Sequence, residues 1–235
     1  MTAPRRPDGA PWRNFHGRRH GKTLRTGQRT LLETRLAQLA PPGVGWAENP
    51  ARAALDPAAL FPGKTDLWLE IGFGGGEHLL ATAAAHRAVG MIGCEPFVNG
   101  VAMFLSALEG AGLDNVRVHA DDARFLLDVL PPASVGRVYL LYPDPWPKRR
   151  HVERRFVNPD NLAMLARVLR AGAELRVATD VPDYVAHTRA ALAARADFAA
   201  VSDSAQAWEG WPGTRYEAKA LREGRAPRYL RYARL

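Results

Sequence analysis

The sequence has a single cysteine and no long apolar run, and these two features exclude several classes of protein. Cys94 is the only cysteine among 235 residues, so the chain can form neither an internal disulfide nor a Cys/His metal cluster, and no metal is predicted. The apolar run 89–93 before it predicts a buried strand thiol. The apolar stretches are too short to span a bilayer, and the N-terminus has no apolar signal segment. We therefore expect a cytoplasmic protein.

Acidic residues are also in short supply. Thirty-two Lys and Arg residues face 24 Asp and Glu residues, which gives a net charge of +8. A positive field of this kind attracts polyanions, so the predicted partner is a nucleic acid rather than a membrane. The chain is 47% hydrophobic, and at this length it can bury the core of one α/β domain.

The N-terminal residues differ in composition from the rest. Residues 1–29 are rich in Arg, Lys, Gly and Pro, and they contain too few aliphatic side chains to order by themselves. They predict a flexible basic arm that becomes ordered on RNA, or alternatively a solubilising tail. Leucines at near-helical spacing predict a helix over 28–39. The main domain is therefore assigned to residues 30–235.

Short apolar runs then alternate with helical patterns. Strands are predicted at 67–71, 89–93, 116–119, 135–141 and 173–178, and helices at 77–87, 98–111, 123–130, 159–169 and 182–194. This alternation predicts a doubly wound, mostly parallel sheet with helices on both faces. Ligands of such sheets bind at the carboxyl ends of the strands.

A glycine turn follows the first predicted strand. Gly72 and Gly74 let the backbone approach a ligand closely before the next helix begins. Glu77 stands where a dinucleotide fingerprint requires its third glycine. A carboxylate there would repel a pyrophosphate, but it would tolerate the neutral ribose and the cationic sulfonium of S-adenosylmethionine.

Acids follow the second and third strands. Glu95 stands where an acid can accept both ribose hydroxyls, and Asp121 and Asp122 stand where one can accept the adenine amino group. Each acid can instead be a helix N-cap, Asp121 in particular. Two acids at consecutive strand ends after a glycine turn favour a site for adenosine.

The fourth strand ends in a proline-rich loop and a run of cations. Prolines at alternate positions in 143–147 remove backbone donors and fix φ, so Asp144 and Trp146 are presented on a stiff loop. Five Lys and Arg residues follow within 148–155. They predict a surface that binds a polyanion, and the alternative is a run of charges that only contacts solvent.

Two later segments are candidates for substrate contacts. Asp180 ends the fifth strand, where it can flank the acceptor or cap the next helix. The segment 211–219 offers a hydroxyl, an aromatic ring, a carboxylate and two cations, which suits a base with its phosphate. The alternative interpretation of this segment is an ordinary surface turn.

These motifs together resemble the single-subunit bacterial tRNA (guanine-N7)-methyltransferases. The matching stretches are 70–80 (EIGFGGGEHLL), 93–102 (GCEPFVNGVA), 142–156 (YPDPWPKRRHVERRF), 178–180 (ATD) and 214–219 (TRYEAK). The resemblance implies a class I (Rossmann-like) methyltransferase with a seven-stranded sheet. It also implies methyl transfer from S-adenosylmethionine to N7 of a guanine in the variable loop of tRNA, by a monomer or homodimer.

The resemblance also assigns roles to individual residues. Asp144 would be the catalytic acid, and the other implied contacts are Glu70, Glu95, Asp122 and Asp144 for the donor, Lys148, Asp180, Thr214, Arg215, Tyr216 and Glu217 for the substrate, and Arg150, His151, Arg154 and Arg155 for the tRNA. Glu153 interrupts the basic run where the family commonly has a cation or a neutral residue.

The expected chemistry needs alignment more than proton transfer. Guanine N7 carries a lone pair at neutral pH, so placing it in line with the methyl group is the main task. Asp144 is predicted to stabilise the positive charge that develops on the guanine, and Asp180 and Glu217 to accept hydrogen bonds from N1–H and the exocyclic amine. An amino-directed methyltransferase and a non-catalytic RNA-binding protein on this fold remain alternatives.

The cations are expected to bind phosphates without reading bases. Removing residues 1–22, or changing Arg149, Arg150, Arg154 and Arg155 to Ala, is expected to weaken binding of all tRNAs alike. Each lost phosphate contact is expected to flatten the slope of log affinity against log salt by roughly 0.7 to 0.9. Binding curves over a range of salt test this, and parallel lines would identify a solvated charge run.

Overall fold

A seven-stranded sheet forms the centre of the computed structural model, which describes residues 14–235. The strands are β1 Asp66–Ile71, β2 Val89–Cys94, β3 Val116–His119, β4 Val135–Leu141, β5 Leu169–Thr179, β6 Phe198–Ser204 and β7 Arg228–Arg234. Their order is β3-β2-β1-β4-β5-β7-β6, and β7 alone pairs antiparallel with β5 and β6. The predicted doubly wound sheet of seven strands is confirmed.

Helices cover both faces of this sheet. They are α1 Thr26–Thr34, α2 Leu36–Leu39, α3 Pro57–Leu60, α4 Glu77–Ala85, α5 Val98–Leu108, α6 Ala123–Val129, α7 Pro159–Val168, α8 Pro182–Ala193 and α9 Arg215–Arg222, with a 3₁₀ helix at Arg149–Arg154. Among the described residues, no helix is both long enough and apolar enough to cross a bilayer.

The strands are buried from both sides because successive side chains point to opposite faces. Leu67 and Leu69 of β1 pack with α6, α7 and α8, whereas Trp68 packs on the other face with α4 and α5. Cys94 is 1% exposed at the end of β2, which confirms the buried thiol. The sheet order makes β1 and β4 neighbours.

The elements predicted from hydrophobic periodicity differ from the observed ones near the two ends of the chain. The helix predicted over 28–39 is divided at Arg35 into α1 and α2, and α1 crosses the domain boundary placed after residue 29. Strands β6 (FAAVSDS) and β7 (RYLRYAR) were not predicted, because each has only four apolar residues of seven and lacks the long apolar run of an internal parallel strand. The pairing of β7 with β5, and of β6 with β7, is decided by tertiary structure.

Part of the predicted arm lies against the domain. The Asn99 side chain accepts a hydrogen bond from Gly21 N–H at 2.7 Å and donates one to Lys22 O at 2.6 Å. Arg19 pairs with Asp121 at 2.8 Å. Residues 14–22 therefore contact α5 and the β3–α6 connection, while residues 1–13 lie outside the described part of the chain.

Candidate functional site

A cleft of about 1900 Å³ opens at the carboxyl ends of the parallel strands. The strand-end residues that line it include Gly72, Gly74, Glu95, Asp122 and Asp144. All five were predicted to bind the donor. Parallel neighbouring strands end at the same edge of the sheet, and this common edge brings the five residues together.

The glycine turn leaves open space at one position and is tightly packed at others. Gly72 has φ +75°, and a Cβ added there would meet no atom within 4 Å, so the cleft reaches the backbone at this point. A Cβ at Gly100 would lie 2.4 Å from Gly74 O. Glycine at position 100 therefore lets the start of α5 approach the turn.

Glu95 connects this turn to the next one. Its Oε2 accepts a hydrogen bond from Gly74 N–H at 2.7 Å, and its Oε1 accepts one from Phe97 N–H at 2.8 Å. Burial raises the pKa of Glu95, the two backbone bonds oppose that shift, and the nearby Asp144 adds to it. Each carboxylate oxygen keeps further acceptor capacity for a ligand hydroxyl.

Asp122, not Asp121, caps the helix after β3. The Asp122 carboxylate accepts hydrogen bonds from Arg124 N–H at 3.0 Å and from Arg124 Nε at 2.9 Å. Arg124 also donates to Asn14 O at 2.9 Å, so it connects the cleft wall to the N-terminal segment. Asp121 was interpreted as the N-cap, and instead it pairs with Arg19.

Asp144 lies on a strained loop at the mouth of the cleft. Tyr142 and Trp146, on either side of it, have φ of +48° and +42°, a region that is costly for side chains other than glycine. The carboxyl group opens into the cleft, yet partial desolvation by the walls raises the pKa of Asp144. The loop thus presents an acid whose proton affinity is above the ordinary value.

Glu70 is placed differently from its predicted role. It is 2% exposed, and its Oε2 lies 2.6 Å from Nδ1 of His78 on α4. It does not line the cleft. In this conformation the carboxylate holds α4 to the end of β1 and is not offered to a donor.

Glu217 also serves the fold. Trp211 Nε1–H donates to its Oε2 at 2.7 Å, and the Tyr229 hydroxyl donates to its Oε1. Thr214 caps α9 by accepting from Glu217 N–H at 3.0 Å. Neither Thr214 nor Glu217 lines the cleft, so the predicted contacts with the guanine edge do not fit this arrangement.

The next two residues of that motif do reach the glycine turn. A Cβ at Gly74 would lie 3.1 Å from the Tyr216 ring, and Tyr216 lines the cleft. The Arg215 guanidinium lies against Gly75 and pairs with Glu77, with Nε 2.5 Å from the carboxylate. The start of α9 is therefore part of the wall above the turn.

Two further substrate candidates lie away from the cleft lining. The Asp180 carboxylate pairs with Arg225, and α8 begins after Val181 without an acidic cap, so Asp180 is not the alternative N-cap either. Lys148 is exposed before the 3₁₀ helix. Neither Lys148 nor Asp180 is therefore among the residues that line the cleft with Asp144 and Tyr216.

The basic run divides into exposed and buried members. Arg149 and Arg150 are exposed, Arg154 lies 5.2 Å from the centre of the Trp146 ring, and His151 packs edge-on against the same ring. Arg155 is 2% exposed and ion-paired with Asp183. The prediction that Arg155 contacts tRNA does not fit this position, because its guanidinium is inside the protein.

The sequence analysis assigned no role to Arg124 and Tyr229, and it did not predict the contact of Trp211 with Glu217. Arg124 lies two residues after Asp122 on the first turn of a helix, a spacing that could have suggested the pair. Trp211 and Tyr229 come from separate segments, and no local pattern connects them to Glu217.

Comparisons with known proteins agree with this geometry. A family model described as a putative methyltransferase matches residues 64–228. The tRNA (guanine-N(7)-)-methyltransferase of Paracoccus denitrificans is 54% identical over 224 residues, covering 95% of this chain and 96% of its own length. The protein of the same name from Cereibacter sphaeroides is 56% identical over 227 residues, covering 97% and 93%.

Solved structures share the fold at lower identity. The 16S rRNA methyltransferase KamB has a TM-score of 0.57 and 18% identity, covering 75% of this chain and 94% of its own. TrmN from Thermus thermophilus has a TM-score of 0.53 and 18% identity, covering 73% and 45%. The expected class I methyltransferase fold is confirmed.

The Glu217 network yields a stability prediction. Glu217→Ala leaves the Trp211 indole N–H and the Tyr229 hydroxyl without their shared acceptor, so we expect the free energy of unfolding to fall by about 2 to 4 kcal/mol. Urea unfolding measures the change. Lys219→Ala on the same helix is the control, because Lys219 is exposed and should shift stability by less than about 0.5 kcal/mol. Equal midpoints for the two variants would contradict the structural role.

Proposed function

The chain belongs to the tRNA (guanine-N7)-methyltransferase family, and from this we propose that it transfers a methyl group from S-adenosylmethionine to N7 of a guanine in tRNA. The observation that carries the proposal is the convergence of Glu95, Asp122 and Asp144, from the ends of β2, β3 and β4, on one cleft beside an open glycine turn. The variable loop is the proposed location of the guanine, by resemblance to the family.

The residues of the cleft fit S-adenosylmethionine. Bare backbone at Gly72 leaves room for a ligand, and the acids at the strand ends favour a cation and ribose hydroxyls over phosphates. When bound, the cofactor supplies a methyl group activated on a sulfonium. Glu95 would hold the ribose through its remaining lone pairs, and Asp122 would lie near the adenine.

Asp144 is the proposed catalytic residue. Positive charge leaves the sulfur and develops on the guanine ring during transfer, and an ionised carboxylate beside the ring stabilises that charge. The stiff proline loop holds Asp144 in place, so little reorganisation is needed.

Tyr216 is the described member of the 214–217 motif that is best placed to meet the guanine. Its ring is 48% exposed, lines the cleft and lies close to Gly74, so it offers a flat surface for a base beside the donor site. Arg215 and Lys148 would then lie nearer to the flanking backbone of the tRNA. Asp180 and Glu217 are proposed to support this wall.

Cations around the mouth of the cleft are the proposed tRNA contacts. Arg154 lines the cleft on one side, in the same 3₁₀ helix as the exposed Arg149 and Arg150, and residues 14–18 line it on another. Phosphate contacts there would offset the cost of exposing a guanine from tRNA structure, on the order of a few kcal/mol. Such a substrate places the proposed activity in the cytoplasm.

Nucleoside analysis tests the function directly. The protein is incubated with an unmodified tRNA transcript and labelled S-adenosylmethionine, and the digest is examined for 7-methylguanosine. A transcript with 7-deazaguanosine at the variable-loop position is the control, since it lacks the accepting nitrogen. Label in 7-methylguanosine from the first transcript alone supports the proposal, and label in another nucleoside overturns it.

Asp144 is expected to act on turnover more than on donor binding. Asp144→Ala should lower kcat by roughly 100-fold or more and leave the Kd for the donor within about tenfold. Asp144→Asn keeps the shape without the charge, so it should lose a similar factor if the role is electrostatic. Wild-type turnover in both variants would remove Asp144 from the catalytic step.

Glu95, in contrast to Asp144, is expected to act on donor binding. Glu95→Ala should weaken donor binding by about 1 to 3 kcal/mol, because charge-assisted bonds to the ribose are lost. Isothermal calorimetry measures the change, with Glu109→Ala at the exposed end of α5 as the control. An unchanged dissociation constant for Glu95→Ala would exclude it from the donor site.

A further inference from the structure

The prolines restrict the backbone angles of the loop that carries Asp144, but they leave it few hydrogen bonds to fix its place against the rest of the domain. Pro143, Pro145 and Pro147 have no N–H, so the stretch 143–147 retains only two backbone donors. Trp146 has φ +42° in the same stretch. A residue in that region keeps its conformation only when surrounding contacts fix it. The loop must therefore be held through its carbonyl groups and side chains.

Arg155 supplies such a contact. Its Nε–H donates a hydrogen bond to Pro145 O at 2.8 Å, directly after Asp144 in the sequence. Its Nη2 pairs with the Asp183 carboxylate on the first turn of α8, and the guanidinium lies 5.5 Å from the centre of the Tyr184 ring. One buried side chain thus connects the proline loop to α8.

The backbone around Arg155 forms a fixed base for this connection. Asn158 Nδ2 donates to Arg155 O at 2.9 Å, and Asn161 Nδ2 donates to Phe156 O at 2.8 Å. His187 Nε2 donates to Val157 O at 2.6 Å. Three successive carbonyls are therefore bound by side chains of α7 and α8, so segment 155–157 cannot shift without breaking them.

We infer that Arg155 is a positioning residue for Asp144, which sets the place of the proline loop through Pro145 O and does not bind tRNA. Its planar guanidinium can donate to the carbonyl and to Asp183 at once, which a lysine ammonium cannot do with the same geometry. The inference rests on the proposed function. Displacement of a catalytic group by about 1 Å can cost on the order of 100-fold in rate.

The test separates turnover from tRNA binding in full-length protein. Arg155→Ala and Arg155→Lys should each lower kcat by roughly 10- to 100-fold, while the tRNA Kd, its salt slope and the donor Kd stay near wild type. Arg150→Ala is the matched control from the exposed part of the same run. It should raise the tRNA KM and flatten the salt slope by roughly 0.7 to 0.9, with a smaller effect on kcat.

Lysine at position 155 discriminates the two roles. A phosphate contact would survive in Arg155→Lys, so wild-type kcat in that variant, or a flatter salt slope in Arg155→Ala, would overturn the inference. If Arg155→Ala does not fold, Asp183→Asn decides, because it weakens only the outer end of the contact. It should lower kcat at unchanged tRNA affinity, and an unaltered kcat would overturn the inference.

Failure of the inference is distinguishable from failure of the proposed function. An active wild-type enzyme with equally active Arg155 variants contradicts the positioning role alone. A wild-type protein that forms no 7-methylguanosine contradicts the proposed function, whatever the variants do.

Discussion

The bond from Gly74 N–H to the Glu95 carboxylate is the interaction on which the site depends. It fixes the turn after β1 to the turn after β2, and the second oxygen of Glu95 fixes the start of α5. The close approach of Gly100 to Gly74 O is possible only with both turns in this position. Since Glu95 is buried, its backbone partners must offset the cost of keeping it charged.

Arginine side chains already bind several of the carboxylates in and around the cleft, where a ligand would otherwise bind them. In this arginine-rich chain, Asp122 is engaged by Arg124, Asp180 by Arg225 and Glu77 by Arg215. These pairs hold the walls, and they leave the acids with fewer acceptor sites for a ligand. Asp144 differs because it opens into the cleft from a loop whose strain and prolines restrict its motion.

The arginines around the cleft fall into two groups, one exposed to solvent and one buried in the protein. Arginines at the rim are exposed and suit phosphates, whereas Arg155 is buried and paired. Arginines of one short run therefore have different proposed roles: the exposed ones bind phosphates, and the buried Arg155 supports the proline loop. The Asp183 carboxylate, whose side chain is 70% exposed, pairs with the outer end of the buried Arg155 guanidinium and partly offsets the cost of burying that charge.

The sequence by itself determined the five parallel strands, the glycine turn and the acids at the strand ends, because hydrophobic periodicity and the common edge of parallel strands are local and geometric constraints. The family resemblance named the chemistry in advance. Only the tertiary structure decided which of those residues face the cleft. The buried side chains of Glu70, Glu217 and Arg155 are bound by His78, by Trp211 and Tyr229, and by Asp183, respectively. No pattern of residue types encodes such pairings, since they exist only once the helices and the sheet have packed together.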